Sequence, residues 1–347
     1  MDYELREERI FLEYTSEKEA LELFLNNEGI RLDKNLDYTM GIYHKDELIA
    51  TGAFLKNTLR CLAVKKEYQG LGIMNKVVSH LINEQYQRGY TSLFLYTKGS
   101  AAKSFLDMGF YEIERVDDSL VFMENRPRGI KEYLEKLSLK KVQGNRIAAI
   151  VMNANPFTLG HQSLVEKAAS ENDAVHIFVV SEEASVIPFY TRYQLVKEGT
   201  SHLKNVILHE TGDYIISSAS FPSYFIKEED SVVELHAKLD LKIFCNHIAP
   251  ALGIKKRYVG EEPYDEVTRT YNQVMKEELE KQGLQCNIIP RRTENGAAIS
   301  ASKVRQFIRE DKLEDIKNLV PITTYNYFKS EEAKVLVERI KKNYSRH

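Results

Sequence analysis

No tryptophan occurs in the 347 residues, and there are three cysteines, Cys61, Cys245 and Cys286. So few and so scattered, with no C-x-x-C pair among them, they support neither a disulfide framework nor a zinc site, and buried thiols are expected. The nine histidines are dispersed as well. No H-x-x-x-H spacing gives a helix a preformed metal face, so no protein metal site is expected. No apolar run approaches the ~20 residues that a membrane span requires. A dominant sign of charge is also missing, since 48 basic side chains are mixed with 51 acidic ones for a formal net charge of −3. Such a chain has no global field to draw nucleic acid, and neither nucleic acid nor membrane is expected as a partner. The stretch Met1 to Glu8 is acidic and lacks the basic-then-apolar order of a secretory signal, so the chain is expected to stay in the cytoplasm. The length suits two domains with separate cores.

What is there centres on residues 146–169. Ile147 to Met152 is a short uninterrupted apolar run, as expected of a strand covered on both faces, and Asn153-Ala154-Asn155-Pro156 is turn chemistry that ends it. Gly160-His161 then opens a helix whose apolar side is Leu164, Val165 and Ala168. A strand-turn-helix corner of this kind suits anions, because the first turn of a helix carries unpaired N–H groups and the positive end of the dipole. Within it, Thr158-Leu159-Gly160-His161 fits the T/H-x-G-H signature of the nucleotidyltransferase superfamily. Gly160 is expected to let backbone approach a phosphate, and His161 can donate from its ring to α-phosphate oxygens, a contact that strengthens as charge develops in the transition state.

A second segment, Ile299-Ser300-Ala301-Ser302-Lys303-Val304-Arg305, resembles the I-S-x-x-x-x-R stretch of the same superfamily. Ser300 is a good helix N-cap, and Lys303, Arg305 and the free N–H groups of the cap suit the β- and γ-phosphates. Three weaker stretches accompany these. Arg192, near a helix start, is a candidate contact for a substrate carboxylate or phosphate. Gly260 and Glu261 follow a strand at the carboxyl edge of the sheet, where ribose or base lies in such folds. Thr270-Tyr271-Asn272, at a nearby helix start, is a further candidate contact.

The first part of the chain reads differently. A helix is expected over Ser16 to Asn26, a hairpin from Met40 to Tyr43 and Leu48 to Phe54, and a strand over Thr58 to Val64. There follow a Gly-rich loop at Gln69-Gly70-Leu71-Gly72-Ile73, an amphipathic helix from Met74 to Gln87 and a strand from Ser92 to Thr97. With Ala102 to Phe110, this resembles the GNAT family of N-acetyltransferases, whose Q/R-x-x-G-x-G/A loop holds a pyrophosphate. Met74 departs from that pattern at its last position. The expected organisation is an acetyltransferase-like α/β domain over 1–125, a linker with a short helix over 126–144, and a Rossmann-like doubly wound parallel sheet of the nucleotidyltransferase type over 145–347. A single tail helix is expected from Thr323 to Tyr344.

The order of the two halves narrows the resemblance, as do the strings Ile150 to Thr158, Asp240 to Phe244, Ala249 to Gly253 and Ile299 to Ser302. The chain resembles the citrate lyase ligase family over essentially its whole length. The resemblance implies ATP-dependent acetylation, through acetyl-adenylate, of the prosthetic-group thiol on the acyl carrier subunit of citrate lyase. Acetate is the acid, and Mg2+ is held mainly by the phosphates. It implies catalytic roles for His161, Lys303 and Arg305, and ATP contacts at Asn155, Phe157, Thr158, Gly160, His161, Gly260, Glu261, Ile299, Ser300 and Lys303. Ser218 and Ser220 depart from the family's Arg and Thr. Gln69, Gly70 and Gly72 are candidates to hold the prosthetic group. The same motifs would also serve an enzyme that moves AMP onto a phosphorylated cofactor precursor, and they do not separate the two reactions.

Overall fold

The structure is a computed structural model that describes residues 5–181, 185–215, 229–261, 266–294 and 296–343. The chain divides into two compact units, one holding the described residues through Glu132 together with 229–235 and the other the remainder.

In the first unit the strands are β1 (Leu5–Arg9), β2 (Tyr38–His44), β3 (Glu47–Leu55), β4 (Thr58–Val64), β5 (Phe94–Thr97), β6 (Tyr111–Val116) and β7 (Leu120–Glu124). They form one sheet in the order β1-β2-β3-β4-β5-β7-β6. Helices α1 (Thr15–Asn27), α2 (Ile73–Gln87) and α3 (Gly99–Asp107) lie between them in sequence, and α4 (Gly129–Ser138) follows β7. β2 and β3 form the expected hairpin. Helix α2 buries Val77, Val78 and Leu81, each worth about 1.5–3 kcal/mol of removed apolar surface. Gly52 lets it lie close on β3, since a Cβ there would stand 2.5 Å from Val77 Cγ1. β4 and β5 are parallel neighbours that pair only at Thr58 with Phe94 and Leu59 with Leu95. β1 was not foreseen: it is a charged edge strand with four of five residues exposed, the kind of edge that resists further pairing.

The second unit holds β8 (Ile147–Met152), α5 (Leu159–Glu171), β9 (Ala174–Val179), α6 (Phe189–Gly199), β10 (Val206–Glu210) and, from His236 on, α7 (Glu229–Ile243). These are followed by α8 (Ala249–Leu252), β11 (Lys256–Gly260), α9 (Glu266–Lys281) and β12 (Gln285–Ile289). Between α7 and α8 the helix widens to a π turn at Phe244–Ile248, just ahead of Pro250, which has no N–H to continue the ladder. All pairings in the five-stranded sheet are parallel, in the order β10-β9-β8-β11-β12. The chain therefore builds outward from β8 on one side and returns to build from its other side. The crevice at the carboxyl ends of β8 and β11 is where a doubly wound sheet receives ligands.

A short hairpin, β13 (Thr293–Glu294) with β14 (Ala297–Ala298), leads into α10 (Ala301–Arg309). The expected tail helix is two helices, α11 (Ile322–Lys329) and α12 (Lys334–Lys342). Ser330 breaks it with an extended backbone at φ −78, ψ 159. Its hydroxyl donates back to the Tyr327 carbonyl at 2.7 Å, a side-chain bond that competes with the helix ladder. Ile299, Val304, Ile308, Tyr325, Phe328, Leu336 and Ile340 join one apolar cluster with Val186 and Ile187.

Candidate active site

Helix α5 begins at the N-cap Thr158, extended at φ −119, ψ 168, whose hydroxyl accepts from the His161 N–H at 3.4 Å. The bond is reciprocated. The Thr158 N–H donates to His161 Nδ1 at 3.1 Å, and the hydroxyl lies 2.9 Å from the same nitrogen. This network assigns Nδ1 as an acceptor, which leaves the proton on Nε2 and makes that atom the donor. Burial, and after it the charge of Arg291, pushes the imidazole down to about 4. The ring is neutral at pH 7. Phe157, fully buried, stacks on it with centroids 5.8 Å apart and planes at 15°. Gly199 leaves room for that phenyl, since a Cβ there would lie 2.5 Å from Phe157 Cε1. The product is a rigid, neutral N–H donor in the first turn of a helix, where orphan backbone N–H groups also favour an anion.

Gly160 has no positive φ. A Cβ on it would stand 3.5 Å from the Ile299 carbonyl oxygen and 3.5 Å from the Thr158 hydroxyl, ordinary contact distances. A helical glycine costs about 1 kcal/mol relative to alanine. Neither backbone nor packing asks for that cost here, which leaves room for a ligand as the use of the missing side chain. The Ile299 contact also joins the two sequence motifs in space. Ser300, the residue after it, caps α10 by accepting from the Lys303 N–H at 3.2 Å. A further bond, Leu159 N–H to the Leu319 carbonyl at 2.9 Å, fixes the start of α5. Two side-chain-capped helix starts thus meet at one corner.

The cations divide into two kinds. Lys303 is exposed, its ammonium 5.7 Å from the Phe307 ring centroid. Arg305, expected on phosphate, is instead 3% exposed and donates through Nη1 to the Asn155 carbonyl. Burial lowers its pKa to about 10, with Arg309 adding to the effect. Arg192, expected at a substrate, is fully buried. Its Nε donates to the Ile187 carbonyl at 2.9 Å, and its Nη1 lies 2.9 Å from the Asn153 carbonyl, 2.9 Å from Asn153 Oδ1 and 2.8 Å from the Val180 carbonyl. Both arginines are corrected from ligand contacts to struts of the Asn153-Ala154-Asn155 turn, where Ala154 is held at φ 50. A guanidinium is suited to that task because its fork of donors is planar and preset.

The other expected contacts differ in burial. Asn155 is 4% exposed and accepts on Oδ1 from the Ile187 N–H at 3.3 Å. Phe157 and Ile299 are buried in packing. Gly260 lies at the end of β11 with open space beside it, its carbonyl accepting from Asn272 Nδ2 at 3.2 Å. Glu261 is exposed, its N–H on the Ile289 carbonyl at 2.8 Å and its carbonyl accepting from Arg291 Nε at 2.7 Å. Tyr271 turns away to the Asp240 carboxylate, 2.5 Å from its hydroxyl. Ser218 and Ser220 lie outside the described residues. In the first unit, Gly70 and Gly72 have φ of 78 and 77, and Gln69 donates through Nε2 to the Val64 carbonyl at 3.1 Å.

Two residues that the sequence reading passed over belong to this corner. Arg292 receives the Ile299 N–H on its carbonyl at 3.0 Å and reaches the Ser163 hydroxyl of α5 with Nη1 at 3.3 Å. Arg291, half-buried beside it, is the charge felt by His161. The available signal was an arginine pair directly after a strand of the parallel sheet and just ahead of the Ile299-Ser300 motif.

Comparison with known proteins bears on this corner directly. The family profile described as the citrate lyase ligase C-terminal domain matches residues 147–328, which span β8 through α11, and that of the acetyltransferase (GNAT) family matches residues 3–110. A citrate (pro-3S)-lyase ligase of Klebsiella pneumoniae is 38% identical over 314 residues, 89% of this chain and 92% of that protein. One of Escherichia coli is 37% identical over 312 residues, 88% of this chain and 89% of that protein.

The chain belongs to the citrate lyase ligase family.

Every residue of the α5 and α10 corner lies inside the matched ligase domain, and the Gln69 to Gly72 loop lies inside the GNAT match. The citrate lyase ligase fold is thus an acetyltransferase-like α/β unit followed by a parallel-sheet unit of the doubly wound kind.

Proposed function

We propose that this chain is the ligase that activates citrate lyase: ATP and acetate give acetyl-adenylate and pyrophosphate, and the acetyl group then passes to the prosthetic-group thiol of the lyase's acyl carrier subunit with release of AMP. The observation that carries the reading is the neutral Nε2–H donor of His161, set by Thr158 beside Gly160 and the α10 cap, in a chain whose relatives are named citrate lyase ligases. Two capped helix starts, a fixed neutral donor and an exposed lysine form the donor set of a polyphosphate site.

In this reading an acetate oxygen attacks the α-phosphorus as the bond to the β-phosphate breaks. His161 donates to the α-phosphate oxygens, and Gly160 lets the first turn of α5 close on them. Ser300, the N–H groups it leaves free and Lys303 meet the departing pyrophosphate. Arg192 and Arg305 act through the turn they hold, because preorganised geometry is worth as much here as added charge. A magnesium ion that keeps its waters and is bound mainly by phosphate oxygens belongs to the same reading. Reaction in the cytoplasm belongs to it too.

Acetate-dependent exchange of labelled pyrophosphate into ATP tests it. Exchange that needs acetate is expected; exchange that needs a phosphate-bearing acceptor instead overturns the reading in favour of a cofactor-type nucleotidyltransferase.

The loop at Gln69, Gly70 and Gly72 is proposed to hold the prosthetic arm of the carrier, whose pyrophosphate and pantetheine resemble the ligand that a GNAT fold holds. Leu71, half exposed at the tip, allows a test without straining the two glycines: Leu71→Glu is expected to slow acetyl transfer to the carrier while exchange stays intact. Equal transfer rates in variant and parent sink this part alone.

A further inference from the structure

We propose that Arg291 is a catalytic residue of the adenylation step, placed to neutralise charge on the departing pyrophosphate; this rests on the adenylation reading above. The first ground is where the fold puts it. β11 and β12 end together, Gly260 pairing with Ile289, and the Glu261 N–H extends the pairing to the Ile289 carbonyl at 2.8 Å. Arg291 Nε then closes on the Glu261 carbonyl at 2.7 Å. That bond anchors one edge of the guanidinium at the carboxyl end of the sheet, where ligands of doubly wound folds lie.

The second ground is what lies next to it. The neighbouring Arg292 holds the Ile299 N–H at 3.0 Å, and the Ile299 carbonyl is the group that a Cβ on Gly160 would meet at 3.5 Å. Arg292 Nη1 also reaches Ser163 of α5 at 3.3 Å. The backbone of Arg291 is therefore pinned beside the α5 and α10 helix starts, and its charge reaches His161 across the corner.

The third ground is the division of labour among the cations. Arg192 and Arg305 are buried on backbone carbonyls of the turn, and Lys303 is exposed. Arg291 is half-buried, and a partly desolvated cation acts more strongly on a nearby anion than a fully hydrated one. In the step itself the acetate oxygen–phosphorus bond forms while the bond from α-phosphorus to the bridging oxygen breaks. The electron pair leaves on that oxygen, and Arg291 keeps its protons throughout. Charge on pyrophosphate rises along this path, so a guanidinium near it favours the transition state over bound ATP.

The test uses the full-length protein with Arg291→Gln, Arg291→Lys and, as a neighbour, Arg292→Gln. Inorganic pyrophosphate is the probe for binding, followed by calorimetry. Arg291→Gln is expected to weaken its affinity about tenfold and to lower kcat for acetate-dependent exchange about 10²-fold. Arg292→Gln, which loses one exposed bond, is expected to lower kcat by less than about tenfold. The His161 titration, followed by NMR, is expected to rise in Arg291→Gln and return towards the parent value in Arg291→Lys, which reads the nearness of the charge, while the pyrophosphate affinity reads its role. Pyrophosphate affinity within about twofold of the parent in folded Arg291→Gln overturns the proposal. Should the glutamine variant not fold, Arg291→Lys decides: about a fivefold loss in kcat is expected from losing the guanidinium fork, and undiminished kcat overturns it. Wild-type protein that binds pyrophosphate but shows no acetate-dependent exchange overturns the adenylation reading instead, and the binding comparison still judges Arg291.

Discussion

Two corners of this molecule share one pattern, a strand followed by a helix with glycine at its start, and they use their glycines for different ends. At the α2 start, Gly70 and Gly72 sit at φ of 78 and 77 with nothing within 4 Å of an added Cβ. Their backbone conformation requires glycine whether or not a ligand comes. No side chain caps α2. At the α5 start, Gly160 has no such backbone need, yet Thr158 and His161 cap the helix reciprocally and fix the donor beside it. A glycine motif thus points to a ligand most strongly where the fold has no use of its own for the glycine.

Three substitutions sharpen the contrast. His161→Asn removes the donor without emptying the corner and is expected to lower kcat for exchange by roughly 10²–10³-fold with little change in ATP binding, the scale of one lost transition-state donor. Retention of more than half the parent rate would remove His161 from the mechanism. Gly160→Ala is expected to lower exchange about tenfold while thermal stability holds or rises slightly, since the added methyl meets only ordinary contacts in the protein and favours helix. A stability loss with unchanged rate would assign that glycine to folding instead. Gly72→Ala reverses the signature: about 1 kcal/mol of stability lost to a strained φ, read by denaturant unfolding, with the rate of exchange per folded molecule unchanged. A lowered exchange rate there would break the contrast between the corners.

How much of this could be read beforehand follows the same division. Strand β8 is an uninterrupted apolar run, β9 is one broken only by His176, and the Thr158 cap and Ser300 cap are local chemistry, so both motifs were legible with their helix starts. The edge strand β1 was not, because five residues reading Leu-Arg-Glu-Glu-Arg carry no alternation and pair only through backbone with β2. The roles of the arginines were legible only as charge. Deeper burial and bonds to carbonyls of and around the turn separate Arg192 and Arg305 from the half-buried Arg291, which bonds the Glu261 carbonyl, and these differences come from tertiary packing that spacing does not encode. The burial of the Phe157 ring was not legible for a related reason: it looks available beside a phosphate motif, while Gly199, 42 positions later in the chain, opens the slot that buries it.

The smallest expected effect is the most direct check of the tautomer at the α5 start. Burial and the Arg291 charge hold His161 down to about 4, well below the ordinary histidine value of about 6.5. Because the folded value is the depressed one, the unfolded chain binds the extra proton first. The stability tied to the neutral ring is full above pH 6.5 and is lost as pH falls towards about 4. For the rate, the consequence is near-silence. The Nε2–H donor is present on either side of pH 6.5, so kcat for exchange is expected to change by less than about twofold between pH 5.5 and 7.5 on account of this residue. A ring acting as imidazolium would behave otherwise, with kcat falling about tenfold per unit as pH rises above its pKa. The two cases separate in one profile compared between the parent and His161→Asn. An alkaline limb near pH 6.5 that vanishes in the variant would show that the proton on Nδ1, and not the Thr158 N–H bond to it, defines the working state.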